Sequence, residues 1–178
     1  PDPHLPNLAW DIKKDVCRTK LQQQFFTPEN RQLLHRLLFL YALEHPEIGY
    51  VQGMNELLAV LFDVCLTDAR RFAPFHKADW GVDEALLRAV FNQSHIEADV
   101  YVLFCELMRR LHPWFTGEEG VMQAQCDRVV ALLSTRDPVL TSVFTSLAIE
   151  PQLFLVRWVR MLFCQMFPRT DVLFVWDW

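Results

Sequence analysis

The sequence predicts an all-α protein, and three observations support that prediction. Apolar residues recur at three- and four-residue intervals through most of the chain, which is the spacing of one helix face. No stretch shows the sustained alternation of apolar and polar residues typical of a strand. With 178 residues, of which 52% are hydrophobic, the chain has the size and composition of one domain with a full core. We therefore expect a single irregular helical domain over residues 1–178, without a β-sheet.

The first helix is expected after a proline-containing start. Pro1, Pro3 and Pro6 predict an extended lead-in, because proline fixes its own backbone and lacks an N–H group. Helical spacing of apolar residues then covers Trp10 to Leu21, which predicts a short first helix.

The second and third helices have clearer boundaries. Thr27 followed by Pro28 has the form of an N-cap and a first helical residue, and the apolar pattern behind it ends near His45. A short connection over Pro46 to Val51 leads to another apolar helix over about Gly53 to Leu66.

The rest of the chain is predicted to be a loop followed by more helices. Residues 67–82 contain Pro74 and Gly81 and are expected to form a loop with at most a short turn. Asp137 ahead of Pro138 is a second candidate cap, and the last residues, Asp171 to Trp178, are too short to assign to a helix or a strand. The remaining predicted helices are Asp83 to Asn92, Ile96 to Leu111, Gly120 to Leu133, Pro138 to Ile149 and Gln152 to Met166.

Charge and hydropathy exclude several classes of protein. The formal net charge is -5 and no block of consecutive Lys or Arg occurs, so no nucleic-acid partner is expected. The longest apolar runs, such as Leu57 to Phe62, are far shorter than the roughly 20 residues of a membrane-spanning helix. Nothing at the start resembles a signal peptide, so the expected location is the cytosol.

The cysteines predict neither disulfides nor a metal site. Four of the five lie in apolar helical stretches, where buried free thiols of a reducing compartment are expected. No C-x-x-C pair or Cys and His cluster has the spacing of a zinc site. The five positions are Cys17, Cys65, Cys105, Cys126 and Cys164.

Nucleotide-binding and hydrolase motifs are absent from the sequence. Neither G-x-x-x-x-G-K-[ST] nor G-x-G-x-x-G occurs in the sequence. The chain has only 5 glycines, which does not favour a glycine-rich phosphate-binding loop. G-x-S-x-G and H-E-x-x-H are absent as well. We expect no nucleotide binding and no catalytic activity by the chain alone, so any reactants would be carried by another molecule.

Two short segments could contribute to chemistry. In the first, Asp15 and Arg18 are three residues apart and therefore neighbours on one helix face, where the carboxylate can orient the guanidinium. In the second, Gln52 lies at a loop-to-helix junction beside Gly53, where it can project outward near free backbone N–H groups. Taken alone, the first is most often a surface ion pair and the second an ordinary helix start.

Together the segments resemble a known family. The pattern I-x-x-D-x-x-R-T, followed some thirty residues later by Y-x-Q-G-M-N, is similar to the two signature motifs of TBC domains, which activate Rab-type GTPases. The resemblance covers nearly the whole chain, because later segments follow the family's helices in the same order. Those segments are Ser94 to Asp99, Phe154 to Trp158, Leu162 to Phe163, Phe167 to Pro168 and Leu173 to Asp177.

The resemblance implies a role for each motif residue. Arg18 corresponds to the family's arginine finger and Gln52 to its glutamine finger, both inserted into the active site of a GTP-loaded Rab. The chain itself would need no cofactor, since Mg²⁺ and GTP stay with the Rab. Asp15 would orient Arg18, Tyr50 and Gly53 would shape the loop that presents Gln52, and Ile12 would anchor the first motif in the core. For Thr19, Met54 and Asn55 a packing or capping role is expected.

The resemblance also sets expectations about context. It implies a GTPase-activating protein of vesicle trafficking and intracellular protein transport, recruited to endomembranes only indirectly, through partners or flanking regions. The family pattern has further segments on both sides, so the chain is expected to be a partial domain trimmed at both ends. A catalytically inactive module that binds a GTPase or another trafficking protein is the alternative, and an unrelated helical scaffold is a third possibility.

Overall fold

The structure is a computed structural model that describes residues 5–19, 27–72, 84–118 and 120–177. Within these ranges it contains nine α-helices, one short 3₁₀ helix and no strand, so the predicted all-α class is confirmed. In chain order the helices are α1 (Leu5–Arg18), α2 (Pro28–Glu44), α3 (Met54–Phe72), α4 (Glu84–Val90), the 3₁₀ helix (Gln93–His95), α5 (Ile96–Phe115), α6 (Val121–Arg136), α7 (Pro138–Ser146), α8 (Gln152–Arg160) and α9 (Arg169–Trp176).

The chain divides into two compact units, and the boundary falls within α5. In the first unit, Pro1–Arg109, α1 packs against α2 and α3, and α2 packs against α3. Each of these helices contributes one buried apolar face to a common core, as helical spacing predicts. The core side chains include Ile12, Val16, Leu34, Leu38, Tyr41, Leu57, Leu58, Phe62, Val100 and Phe104, all of them no more than 4% exposed.

The first helix begins earlier than predicted. Leu5–Arg18 includes Pro6, so an extended conformation at Pro6 is wrong, whereas Pro1 and Pro3 lie outside the described residues. Proline is tolerated in the first helical turn, because the N–H group that it lacks would have no partner there. The helix ends at Arg18, and Leu21 is also outside the described residues.

The second helix has the predicted start. Thr27 is the N-cap of α2, with its hydroxyl oxygen accepting from the Asn30 backbone N–H at 3.3 Å, and Pro28 occupies the first turn. The His45 backbone N–H donates to the Tyr41 carbonyl at 2.9 Å and closes the last turn just ahead of Pro46. The cap pattern therefore predicted the start of this helix, and the end of the apolar pattern near His45 predicted where it stops.

Two helices run further than predicted. The loop expected over residues 67–82 is wrong for 67–72, which belong to α3, while 73–83 lie outside the described residues. The apolar face of α3 continues through Leu66 and Ala69, which are buried, and favours extra helical turns. Helix α5 likewise passes Pro113 to reach Phe115, although a proline at this position lacks the N–H group that would donate to the Arg109 carbonyl.

In the second unit, Arg110–Trp178, α6 packs against α7 and α8. Its described core contains Leu111, Phe115, Cys126, Leu155, Met161 and Val172. Several large apolar side chains of this unit are exposed, among them Val139, Leu147, Leu153 and Phe174.

Helix α8 is shorter than predicted. It ends at Arg160 instead of Met166, because Leu162 and Phe163 adopt left-handed φ values of 45° and 64°. The Trp176 indole N–H donates to the Leu162 carbonyl at 2.8 Å and fixes this turn against α9. Helix α9 also resolves the ambiguous last segment as helical.

The other boundaries differ by a few residues, and the cysteine prediction is partly wrong. Helix α6 extends to Arg136, whereas α7 ends at Ser146 and α4 at Val90. All five cysteines are free thiols, but only Cys126 is buried, and Cys17 is exposed on α1.

No helix in the described part of the chain is long and apolar enough to cross a membrane.

Candidate functional site

Arg18 is the last residue of α1 and forms an ion pair with Asp15 one turn earlier. The Arg18 Nη2 atom contacts Asp15 Oδ1, as the three-residue spacing predicts. The two side chains differ in exposure, since that of Arg18 is 56% exposed and that of Asp15 only 9%. A buried carboxylate thus holds a guanidinium that faces solvent.

The second oxygen of Asp15 is bound by the second motif. The Tyr50 hydroxyl donates to Asp15 Oδ2 at 2.9 Å. Burial, the hydrogen bond to Asp15 and the charge of that carboxylate raise the pKa of Tyr50, so the hydroxyl stays protonated and remains a donor. With both oxygens engaged, the Asp15 carboxylate has little freedom to rotate.

Asn55 joins the end of α1 to the start of α3. Its Oδ1 accepts from the Gly53 backbone N–H at 3.1 Å, and its Nδ2 donates to Thr19 Oγ1 at 2.8 Å. The Thr19 hydroxyl in turn donates to the Asp15 carbonyl at 2.9 Å. Asn55 and Thr19 are 5% and 8% exposed, so this chain of hydrogen bonds is shielded from water.

Gln52 lies in the turn just ahead of α3, and its side chain is exposed. Gly53 follows with a φ of 111°, which side-chain-bearing residues rarely adopt. The Met54 N–H donates to the Val51 carbonyl at 3.1 Å, and Met54 itself is fully buried. The turn is therefore fixed on both sides of Gln52, while no hydrogen bond within the described residues ties down its carboxamide.

The site thus has two exposed side chains on a buried frame. Tyr50 contacts Asp15 directly and precedes Gln52 by two residues, a stretch that spans at most about 7 Å. Ile12 is fully buried one turn before Asp15 and anchors α1 in the core. The structure therefore brings the two motifs, which are more than thirty residues apart in sequence, into one hydrogen-bonded cluster.

Another ion pair in the chain shows what is distinctive about Arg18. Arg109 also pairs with a carboxylate three residues earlier, Glu106, at 2.8 Å. There the carboxylate is 47% exposed, against 9% for Asp15. Spacing is the same in both pairs, so burial of the carboxylate and its bond to Tyr50 distinguish the Arg18 pair.

The central position of Asn55 was not evident from the sequence. Its bond with the Gly53 backbone N–H is of the capping kind expected, and its bond to Thr19 links the second motif to the first. A polar residue at the start of a helix whose first half is mainly apolar was the available signal, because such a group requires hydrogen-bond partners if it is buried. The partners themselves are distant in sequence and could not be deduced from spacing.

The described residues contain no group of three or more His, Cys, Asp or Glu side chains able to hold a metal ion.

The helical fold agrees with comparisons with known proteins. The sequence model of the Rab-GTPase-TBC domain matches residues 3–178, and the chain therefore belongs to that family. Human TBC1 domain family member 5 is 34% identical over 93% of the chain. The yeast GTPase-activating protein GYP1, from Saccharomyces cerevisiae, is 28% identical over 93% of the chain.

The chain matches only part of these relatives. It covers 24% of the human protein and 26% of the yeast protein, so it spans about a quarter of their length. The crystal structure of the Ypt/Rab-GAP domain of Gyp1p superposes with a TM-score of 0.75 at 22% identity. That match includes 99% of this chain and 55% of the other, and it shows a shared fold.

Proposed function

We propose that this chain stimulates GTP hydrolysis by a Rab-family GTPase and supplies Arg18 and Gln52 in trans. Membership of the Rab-GTPase-TBC domain family supports the reaction. The name of a relative, GTPase-activating protein GYP1, points to the same activity. Which residues act is inferred from the resemblance of the two motifs to those of TBC domains, and the geometry of this chain supports that choice.

The observation that carries the proposal is an exposed arginine held by a buried carboxylate. Arg18 faces solvent, yet its guanidinium is tied to Asp15, which is bound in turn by Tyr50. A flexible surface arginine would lose conformational entropy on entering a partner's active site. The ion pair with Asp15 already restricts the Arg18 side chain, so less conformational entropy would be lost on binding. This favours a role for Arg18 in binding a negative charge on another molecule.

Arginine suits the charge that develops in this reaction. Phosphoryl transfer to water requires little covalent chemistry from the protein, and its rate depends on positioning and on neutralising charge on the phosphate oxygens. A guanidinium is permanently charged and offers a planar fork of donors. Arg18 would place that fork against the phosphate oxygens of the bound GTP.

Gln52 would position the attacking water. A carboxamide can accept a hydrogen bond from the water and donate another to the phosphate. The Gly53 conformation and the buried Met54 fix the turn from which Gln52 projects. Both finger side chains would thus enter the partner from one rigid surface.

The remaining components belong to the partner. GTP and Mg²⁺ would be bound by the Rab, and the chain would contribute no cofactor and no catalytic activity of its own. A role in vesicle trafficking and indirect recruitment to endomembranes follow from the same proposal.

Single-turnover GTP hydrolysis on a panel of GTP-loaded Rabs tests this function. Arg18→Ala should lower the stimulated rate by about 10³–10⁵-fold, the usual contribution of an arginine finger. Arg18→Lys should restore little, since the bidentate fork is lost. Gln52→Ala should also lose most stimulation while the chain remains folded.

Arg109→Ala is the matched control for this experiment. It removes an exposed arginine from an ion pair of the same spacing, so it should leave stimulation unchanged. If both arginine variants lose activity equally, the effect comes from stability or net charge and the finger assignment is wrong. If wild type binds Rabs but stimulates none of them, the chain is an interaction module instead.

A further inference from the structure

The exposed face of α1 beside Arg18 carries a large aromatic side chain. Trp10 is 64% exposed, although tryptophan is mostly buried in folded proteins. Trp10, Lys14 and Arg18 are spaced four residues apart along α1. Lys14 is therefore adjacent to both Trp10 and Arg18 on the helix surface. None of the described side chains makes a ring contact with Trp10, and Lys14 has no ion-pair partner among them.

The position of Trp10 relative to the proposed finger can be estimated from helix geometry. The Arg18 guanidinium reaches back to Asp15, because helical side chains point towards the N-terminus. Trp10 lies five residues before Asp15, which is about 7.5 Å along the helix axis. A typical protein interface buries about 800 Å² on each partner, equivalent to a disc of roughly 16 Å radius. An interface of ordinary size centred on Arg18 is therefore large enough to include Trp10.

The charge of α1 also favours binding to a negatively charged partner. Helix α1 carries Lys13, Lys14 and Arg18 against Asp11 and the buried Asp15, which leaves a small excess of positive charge on a chain whose net charge is -5. The triphosphate that a GTPase holds is negatively charged. Opposite charges at this place would favour encounter in the orientation that brings Arg18 to the phosphates.

We propose that Trp10, with Lys14 between it and Arg18, docks on the GTPase surface that borders the nucleotide. The inference rests on the proposed function. Trp10 is a binding anchor and takes no part in the reaction, because its indole is about two helical turns from the Arg18 Cα. Tryptophan suits this task, since it buries a large area and is enriched among the residues that dominate binding energy.

Separate measurements of binding and rate test the proposal. In single-turnover hydrolysis, Trp10→Ala should raise the concentration of the chain needed for half-maximal stimulation by about 30-fold, as expected for an interface hot spot. The maximal rate should stay close to wild type. Arg18→Ala should give the opposite result, a collapse of the maximal rate with a small change in binding.

Two further variants serve as controls for the loss of binding. Trp10→Phe keeps an aromatic ring and should recover most of the binding. Phe174→Ala removes an equally exposed aromatic, also 64% exposed, from α9 and should leave the half-maximal concentration unchanged. The docking proposal is overturned if Trp10→Ala matches Phe174→Ala, or if it lowers only the maximal rate.

A direct binding assay separates this proposal from the proposed function. Fluorescence anisotropy would measure binding of each variant to Rabs loaded with a non-hydrolysable GTP analogue. If wild type binds without stimulating hydrolysis, the proposed function fails, but a 30-fold loss in Trp10→Ala still supports docking. If wild type neither binds nor stimulates any Rab of the panel, both proposals are wrong.

Discussion

Asp15 is the residue on which the candidate site depends. One carboxylate oxygen contacts the Arg18 guanidinium, and the other accepts from the Tyr50 hydroxyl. A buried carboxylate is unfavourable unless it has such partners. The two motifs are therefore coupled, because each provides a partner that stabilises Asp15.

Tyr50→Phe tests this coupling at a single atom. The substitution removes the hydroxyl and keeps the ring, so Asp15 loses one donor and Arg18 becomes less well oriented. We expect the maximal stimulated rate to fall by about 10-fold, which corresponds to ~1.4 kcal/mol and lies just below the roughly 1.5–3 kcal/mol of a hydrogen bond to a charged group. Single-turnover hydrolysis at saturating concentrations of the chain measures this rate.

Tyr101→Phe is the matched control. The Tyr101 hydroxyl donates to the Glu44 carboxylate, so the same kind of bond is lost between α5 and α2. Its maximal rate should equal that of wild type. A similar loss of rate in both variants would mean that Tyr50 affects stability alone.

Helix ends show which parts of the fold a sequence specifies. Thr27 and Pro28 marked the start of α2, because a cap and an N-terminal proline act through their immediate neighbours. The end of α8 was missed, since the left-handed Leu162 and Phe163 carry no glycine signal and are fixed by Trp176 from a distant helix. Helix ends that depend on neighbouring residues can be predicted from the sequence. Helix ends that depend on tertiary contacts cannot.

The cap of α2 provides a prediction at this scale. Thr27→Ala removes the acceptor of the Asn30 N–H, and we expect the free energy of unfolding to fall by about 1 kcal/mol. Thr27→Ser keeps a hydroxyl at the same place and should retain most of the stability. Urea denaturation of both variants compares them, and equal losses would show that the hydroxyl is not a cap.

The same reasoning separates the predictable part of the site from the rest. The ion pair of Asp15 and Arg18 was predicted by spacing along one helix. The bonds from Tyr50 to Asp15 and from Asn55 to Thr19 join α1 to the segment around the start of α3, and nothing local encodes them. The family resemblance paired the motifs, and the structure supplies the contacts between them.

At the scale of the whole molecule, burial decides which cysteines can react. Cys17 is exposed on α1, whereas Cys126 is fully buried and its pKa is raised, chiefly by loss of solvent. A raised pKa leaves less of the reactive thiolate at neutral pH. The sequence pattern had predicted burial for most of the cysteines, because it detects apolar surroundings and not the orientation of each helix.

Thiol labelling tests this arrangement. With a chromogenic disulfide reagent at neutral pH, Cys17 should react rapidly and Cys126 only on unfolding in denaturant. Cys17→Ser should abolish the fast phase, and Cys126→Ser should leave it intact. Rapid modification of Cys126 in the folded chain would contradict the packing of α6.

The central claim is that Arg18 acts on a transition state formed in another protein. Its most direct test is binding to a Rab loaded with GDP alone or with GDP and aluminium fluoride, which mimics the phosphoryl group in transfer. Transition-state analogues bind at least about 10²-fold more tightly than ground states where the contacts are specific to the reaction. We expect that preference in wild type and in Arg109→Ala, and expect Arg18→Ala to bind both forms equally. A preference for the fluoride complex that survives in Arg18→Ala would contradict the claim.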